Sequence, residues 1–497
     1  MGAVGGGVLS DRVIDGDGCG ITVPGSESRN ACARKTKNEA HDHEIRPFFP
    51  ANAAPGVGHA LNRTHPVMMK RVLFLLSLML MPSTGTAADS PVPRPNVVLI
   101  VADDLGYGDL GCYGCKDIPT PHLDSLARDG ARFTDGYAYN VCSPTRAALI
   151  TGKYASRSGI NTVLMGKSVE RFAKATTLAR VLKDAGYKTG LVGKWHLGYD
   201  GDVVPTKMGY DEFFGCHGGK IDYFKHTDST QKDKHELWEG EREVFMEGYS
   251  TDLFTDRAVQ FLHKHAKEKF FLQITYNAPH FATKKGVFQA PEAYLKKFKV
   301  EGSPDGTRGG YAAMVNCMDD GVGRVLGALK ELGVERETLV IFISDNGSEL
   351  VGSNAPFSGG KHSNKEGGIR VPWLARWPGT IPPGSVVSEP VHVIDVMPTL
   401  LAVTDTPAPK GLEFDGRSFW PAVTGKGGLE ERTLFFPPSA VRRGEWKLNG
   451  DKLYQLKDDP AEKKNVATQH PEVRDRLAKE METWRTQLGI KAKIKTK

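Results

Sequence analysis

The stretch NVCSPTRAALITG, residues 140 to 152, places a cysteine two residues ahead of a proline and four ahead of an arginine. Ser143 is a helix-capping type, Pro144 suits a first helical turn where its missing N–H costs nothing, and Arg146 to Ile150 are helix formers. Cys142 is therefore expected over a helix N-terminus. There it could be a low-pKa thiolate, lie beside a bound oxyanion, or be buried and inert. NVVLIVADDLGYGD ends an apolar run at Asp103 and Asp104, and TLVIFISDNGSE ends another at Asp345 and Asn346. Adjacent carboxylates repel unless a cation joins them. Three carboxylates and an amide oxygen make a hard, all-oxygen set that suits Ca²⁺ or Mg²⁺ better than zinc. KTGLVGKWHLG leaves Lys194 and His196 at the end of a third run, and KFFLQITYNAPH leaves His280 after a fourth. These offer donors to an anion and protons to a leaving group.

The four runs are apolar and β-branched and alternate with amphipathic segments, which predicts an α/β fold with a mostly parallel central sheet flanked by helices. Ligands of such sheets bind beyond the carboxyl ends of the strands. One DD or DN could be a plain turn or cap, but four complementary strand ends would gather a cation, proton donors and anion donors on one sheet edge. The large domain is expected over 95–410, with a boundary in the Pro-rich and Gly-rich TDTPAPKGLEFDGRS stretch. Residues 411–497 read as a small α+β subdomain. In it, AVRRGEWKLN and DKLYQL form a short antiparallel pair, and a helix packs through Val473, Leu477, Met481 and Trp484. Asp395 and Pro398 read as helix-start residues. The polar, aromatic-rich insert from His217 to Asp252 is expected to border the pocket, with His217, Lys220, Tyr223 and His226 as candidates for substrate contact.

A chain of 497 residues with 39% hydrophobic and 25% charged residues is neither disordered, collagenous nor a coiled coil. Its net charge of +6 is small for the length, and the four lysines of the terminal IKAKIKTK read as a solvated tail. Nucleic-acid binding gains no support. MMKRVLFLLSLMLMPSTGTAADS has signal-peptide order at 68–88. Lys70 and Arg71 form the positive end, Val72 to Met81 the apolar run, and Thr86, Ala87 and Ala88 the cleavage site. The run is too short for a membrane span, which takes about 20 residues. Residues 1–67 are then an over-extended gene model or a disordered leader, and the mature chain is expected to start near Asp89 and be exported, to a periplasm or the medium. Outside that leader lie Cys112, Cys115, Cys142, Cys216 and Cys317, an odd set in which Cys142 is expected to stay unpaired. CYGC at 112–115 is a local disulfide or two thiols, since nothing completes a zinc site.

CSPTRAALITG resembles the signature of the sulfatases of the alkaline-phosphatase superfamily, and GYKTGLVGKWHLG resembles their second signature. The order of NVVLIVADDLGYGDLGCYG, CSPTR, GKWH, NAPH, SDNGSE and GGKHSNKEGGIRVPWLARWP fits as well, from about Pro95 onward, and GEWKLNGDKLYQLKDDPAEKKNVA is similar to the family's C-terminal segment. Thr145 stands where serine is commoner. The resemblance implies an alkaline-phosphatase-like fold and hydrolysis of organic sulfate esters, with sulfated carbohydrate as the expected substrate. It implies that a maturation enzyme converts Cys142 to formylglycine. Asp103, Asp104, Asp345, Asn346 and modified Cys142 would hold Ca²⁺ or Mg²⁺. Arg146 and Lys194 would hold the formylglycine and its ester, His196 would take a proton during elimination, and His280 and Lys361 would contact sulfate and protonate the leaving oxygen. The rivals are a phosphonate or phosphate monoester hydrolase of the same superfamily and a catalytically silent, secreted carbohydrate-binding protein.

Overall fold

The first apolar run forms a strand, Asn96–Asp103 (β1), buried along its whole length. Its side chains alternate between two cores: Val97, Leu99 and Val101 enter one, and Val98, Ile100 and Ala102 the other. This is the pattern of a strand covered on both faces, which is why the run reads as continuously apolar. The computed structural model describes residues 94–282 and 285–490. Residues 1–67, the signal-type segment at 68–88 and the tail from 491 lie outside them.

β1 is the middle of a ten-stranded sheet. The centre of the sheet is built from Lys188–Lys194 (β2), Glu212–Cys216 (β3), Phe270–Pro279 (β4), Thr338–Ser344 (β5) and Trp373–Arg376 (β6). Their order is β6-β5-β1-β4-β2-β3, and all but β6 run parallel. Leu99 sits beside Gln273 of β4 and Ile341 of β5. This register brings the carboxyl ends of β1, β4 and β5 level, so the polar residues that follow them converge. Cys142–Thr151 (α1) packs on one face through Ala147, Ala148, Leu149 and Ile150. Ser250–His265 (α2) and Arg308–Glu331 (α3) cover the other with Phe254, Phe261, Met314 and Val322. Each such side chain contributes about 1.5–3 kcal/mol by leaving water. The expected α/β architecture is therefore present.

The C-terminal part is richer than the pair of strands expected. Thr433–Phe436 (β7), Ala440–Arg443 (β8), Trp446–Asn449 (β9) and Lys452–Gln455 (β10) form a four-stranded antiparallel sheet. Pro471–Gln487 (α4) packs on it with Leu477, Met481 and Trp484 buried and Val473 partly so. Asp395 behaves as helix-start chemistry, accepting from the His392 and Arg417 backbone N–H groups at 2.8 and 2.9 Å and pairing with Arg432.

A buried ionic cluster links this sheet to the central fold. Lys447 of β9 is fully buried, with its Nζ 2.8 Å from Glu366 Oε1 and 3.2 Å from Glu462 Oε1. Arg370 bridges Glu366 and Asp135, and Arg442 of β8 meets Asp135 at 2.7 Å. Burial alone would raise the Glu366 carboxyl, but Lys447, Arg370 and Arg442 pull it down to about 2. A depressed folded-state pKa gives stability that is present above the ordinary value of 4.5 and is lost as pH falls from there toward 2. Lys447→Met takes the buried ammonium from between Glu366, which keeps Arg370, and Glu462, so its expected cost is about 3–5 kcal/mol. Denaturant midpoints of the two proteins at neutral pH check this, and the gap should narrow in acid.

Candidate active site

α1 begins at Cys142 itself. Val141, in extended conformation, is its N-cap, and no side chain caps it. The expected cap, Ser143, lies inside the helix, and its Oγ accepts instead from the Leu164 N–H at 3.1 Å. Thr145, fully buried, accepts from the Tyr139 N–H at 3.0 Å and bonds the Val141 carbonyl at 3.2 Å, so threonine is well accommodated here. The low-pKa thiolate is corrected as well. Burial, only partly countered by Lys194 and Lys361, pushes the Cys142 thiol up to about 12. The other four cysteines outside the leader are also free, so CYGC is two thiols and not a local disulfide.

The strand-end residues meet around this thiol. One ligand atom each from Asp103, Asp104, Cys142 and Asp345 lies within 4.8 Å of the others, and all four residues are buried. Cys142 Sγ is 3.6 Å from Asp103 Oδ1. Lys194 Nζ is in direct contact with Asp103, Arg146 grips Asp345 Oδ2 through Nε and a terminal nitrogen at 3.1 and 2.8 Å, and Lys361 Nζ is 2.7 Å from Asp104. Asn346 Nδ2 donates to Asp104 at 2.7 Å and to the Gly347 carbonyl at 3.0 Å, which leaves its buried Oδ1 without a hydrogen-bond partner. Burial and the Asp103 charge raise the Asp345 carboxyl despite Arg146. A clustered hard-oxygen set with one orphaned carbonyl fits a divalent cation. Asp104 and His196 both hold left-handed backbone, φ 64° and 59°, where non-glycine residues store strain that often marks functional positions.

The two histidines have fixed tautomers. His196 Nε2 is 2.8 Å from the Leu164 carbonyl, an acceptor only, so it carries the hydrogen and leaves Nδ1 as a lone pair with no partner. His280 Nδ1 donates to the Phe281 carbonyl at 2.6 Å, and its Nε2 stands 3.6 Å from Asp104. Burial holds both well below the usual histidine range, helped by Lys194 and Arg146 at His196 and by Lys361 at His280. Lys361 is the opposite case: burial would depress it, but Asp104 and other carboxylates raise its ammonium well above its usual value.

Cys142, His196, His280 and Lys361 all face one cavity of 370 Å³, walled by Leu164, Met165, Tyr199, Lys220, Phe281 and Glu349 among others. Of the four insert residues expected there, only Lys220 lines it. His217 is buried between Phe213 and Trp238, with ring centroids 5.2 and 5.0 Å away. Tyr223 is buried and bonds the His280 carbonyl at 2.8 Å, and His226 is buried against the Gly248 carbonyl at 3.1 Å. Tyr199, Phe281 and Glu349 line the cavity although none is among the residues expected there. Each lies within three residues of a motif residue at a strand end, a signal available in GKWHLGY, NAPHF and SDNGSE. The other acidic group among the described residues, His122, Asp319 and Asp320, is structural, since Asp319 accepts the His122 and Leu123 N–H groups at a helix start.

The Sulfatase family model matches residues 95–406. The chain belongs to the sulfatase family. Sulfatases are sulfuric ester hydrolases of the alkaline-phosphatase-like superfamily. Arylsulfatase J of Mus musculus is 35% identical over 354 residues, which cover 69% of this chain and 57% of that protein's length. N-acetylgalactosamine-6-sulfatase of Sus scrofa is 34% identical over 387 residues, covering 72% of this chain and 71% of that one. The solved structure of Ps i-CgsB in complex with k-i-k-neocarrahexaose is similar with a TM-score of 0.72 and 33% identity, covering 79% of this chain and 92% of that one. The sulfatase assignment and its fold, expected from the sequence motifs, are thus borne out.

Proposed function

We propose that this sulfatase hydrolyses sulfate esters on carbohydrates, using a formylglycine made from Cys142 and a divalent cation, Ca²⁺ before Mg²⁺. The observation that carries this reading is the burial of the Cys142 side chain among three carboxylates and their three cations, in the lining of a cavity. A thiol pushed up to about 12 is a weak nucleophile at neutral pH, so the position suits a different functional group. Support for carbohydrate comes from relatives whose names specify N-acetylgalactosamine 6-sulfate and from one solved with neocarrahexaose.

Asp103, Asp104, Asp345 and Asn346, with residue 142, would hold the cation, which when bound polarises a sulfate oxygen and acidifies an adjacent hydroxyl. The formylglycine hydrate would supply two geminal hydroxyls, one to attack sulfur and one whose deprotonation expels sulfate and restores the aldehyde. Arg146 and Lys194 steady charge growing at sulfur. His196 offers its Nδ1 lone pair to the second hydroxyl's proton. Lys361 already carries its proton and is the readier donor to the leaving oxygen. His280 bonds the sulfate once its Nε2 is protonated, which an incoming anion favours. With Asp103, Asp104 and Asp345 against Arg146, Lys194 and Lys361, the side chains are formally neutral together, so a dication gives the site the positive charge that an anionic ester needs.

Turnover of 4-nitrophenyl sulfate against a 4-nitrophenyl phosphonate monoester tests the reading. The sulfate should be the faster by kcat/KM, and a reversed order would assign the chain to phosphonate chemistry. No turnover of either ester or of sulfated saccharides would favour the silent binding protein. No described helix is long and apolar enough to cross a membrane. Export remains part of the proposal: N-terminal sequencing of native protein should begin near Asp89, and a start within residues 1–67 would contradict it.

A further inference from the structure

Lys220 is the charged group of the cavity that the proposed chemistry leaves without a task. It comes from the insert after β3, whose Gly219 lies on the His196 imidazole so closely that a Cβ there would collide with the ring. The backbone is therefore anchored to the site. The Lys220 Nζ rests over the Phe281 ring, 5.2 Å from its centroid, and that ring packs 4.3 Å from His280. Its ammonium is thus held on the His280 side of the cavity, and His280 reaches toward the same Asp104 carboxylate as Lys361, the proposed donor to the leaving alcohol. Among the described residues it has no carboxylate partner within ion-pair distance. The other cavity charges are satisfied: Lys361 by Asp104, and Glu349 by Lys285 at 2.5 Å. Burial, offset in part by Asp228, lowers the Lys220 pKa, as befits an ammonium short of counter-charge.

We propose that Lys220 selects substrates whose leaving alcohol bears a second anionic group, a carboxylate or another sulfate, near the ester that is cleaved. The cation–π contact orders the ammonium in advance, so an ion pair formed there loses little side-chain freedom. Met165, 62% exposed, and Tyr199 also line the cavity and give it apolar and aromatic surface for the body of the substrate. The substrate class is then a polyanionic saccharide and not a singly sulfated neutral sugar. This inference rests on the sulfatase reading above.

The test compares three esters, 3-carboxyphenyl sulfate, its neutral analogue 3-carbamoylphenyl sulfate, and 1,3-phenylene disulfate. Turnover is measured with the native enzyme, and binding by calorimetry with the Cys142→Ala protein. Each anionic ester should exceed the neutral one by about fivefold to tenfold at low salt, and the ratio should shrink in high salt. Lys220→Met should bring the ratio to about one, Lys220→Glu should invert it, and Lys220→Arg should keep it. A larger preference for the disulfate points to a polysulfated sugar, and one for the carboxylate to a uronic acid. Hydrolysis of all three without preference, a preference unchanged in Lys220→Met, or no binding preference in the Cys142→Ala protein would overturn the role of Lys220 while leaving the sulfatase reading intact. Preferential binding without hydrolysis by the native enzyme would do the reverse.

Discussion

The Cys142→Ser protein should attack a sulfate ester once and then stop. A serine hydroxyl can displace the alcohol, but it has no geminal partner whose proton loss could expel the sulfate. Mixed with excess 4-nitrophenyl sulfate, this variant is expected to release a burst of about one equivalent of nitrophenol and then turn over on the order of 10³-fold more slowly than the native enzyme. Mass spectrometry of the stalled protein should find a sulfated residue 142. Cys142→Ala should show no burst. The thiol lies 3.6 Å from Asp103 and is buried, so serine fits the same space and the result reads chemistry and not packing. Multiple turnovers by Cys142→Ser would remove the need for a hydrate.

Metal and leaving-group contacts should separate by mutation. Asp345→Ala removes one carboxylate from the 4.8 Å cluster and takes from Arg146 its closer carboxylate, so bound calcium and turnover should fall together. The expected loss is on the order of 10²-fold in metal affinity, partly restored by excess Ca²⁺. Lys361→Ala leaves Asp103, Asp345 and Asn346 in place, so calcium should persist while kcat/KM drops about 10²–10⁴-fold. A nitrophenolate leaves with little protonation, whereas a sugar alkoxide needs it. The Lys361→Ala defect should therefore be about tenfold smaller on 4-nitrophenyl sulfate than on a sugar sulfate. Metal analysis alongside both substrates checks this. Equal calcium loss in the two variants, or equal defects on both esters, would show that Lys361 is not a leaving-group contact.

The centre of the site was legible in the sequence because β1, β2, β4 and β5 are buried apolar runs that stop where the polar residues start. In a parallel sheet, one register puts those ends on one edge. The flanks were not legible, since they depend on contacts between distant segments. Ser143 has the composition of a cap, yet the cap is Val141, two residues earlier, and the Ser143 hydroxyl meets Leu164. His217, Tyr223 and His226 are polar letters in a polar insert, but Trp238, Gly248 and the His280 carbonyl draw them inward. β7 was missed because TLFF is short and stops at two prolines. Lys447 looks like a surface lysine until Glu366 and Glu462, from two other parts of the chain, close around it.

The most direct measurement is the mass of the tryptic peptide from Phe133 to Arg146 in an active preparation. The account expects residue 142 to have lost sulfur and two hydrogens and gained one oxygen, as the aldehyde, or to carry a further water as its hydrate. The modified fraction should rise in proportion to specific activity across preparations. A fully active enzyme whose peptide holds only unmodified Cys142 would contradict the account.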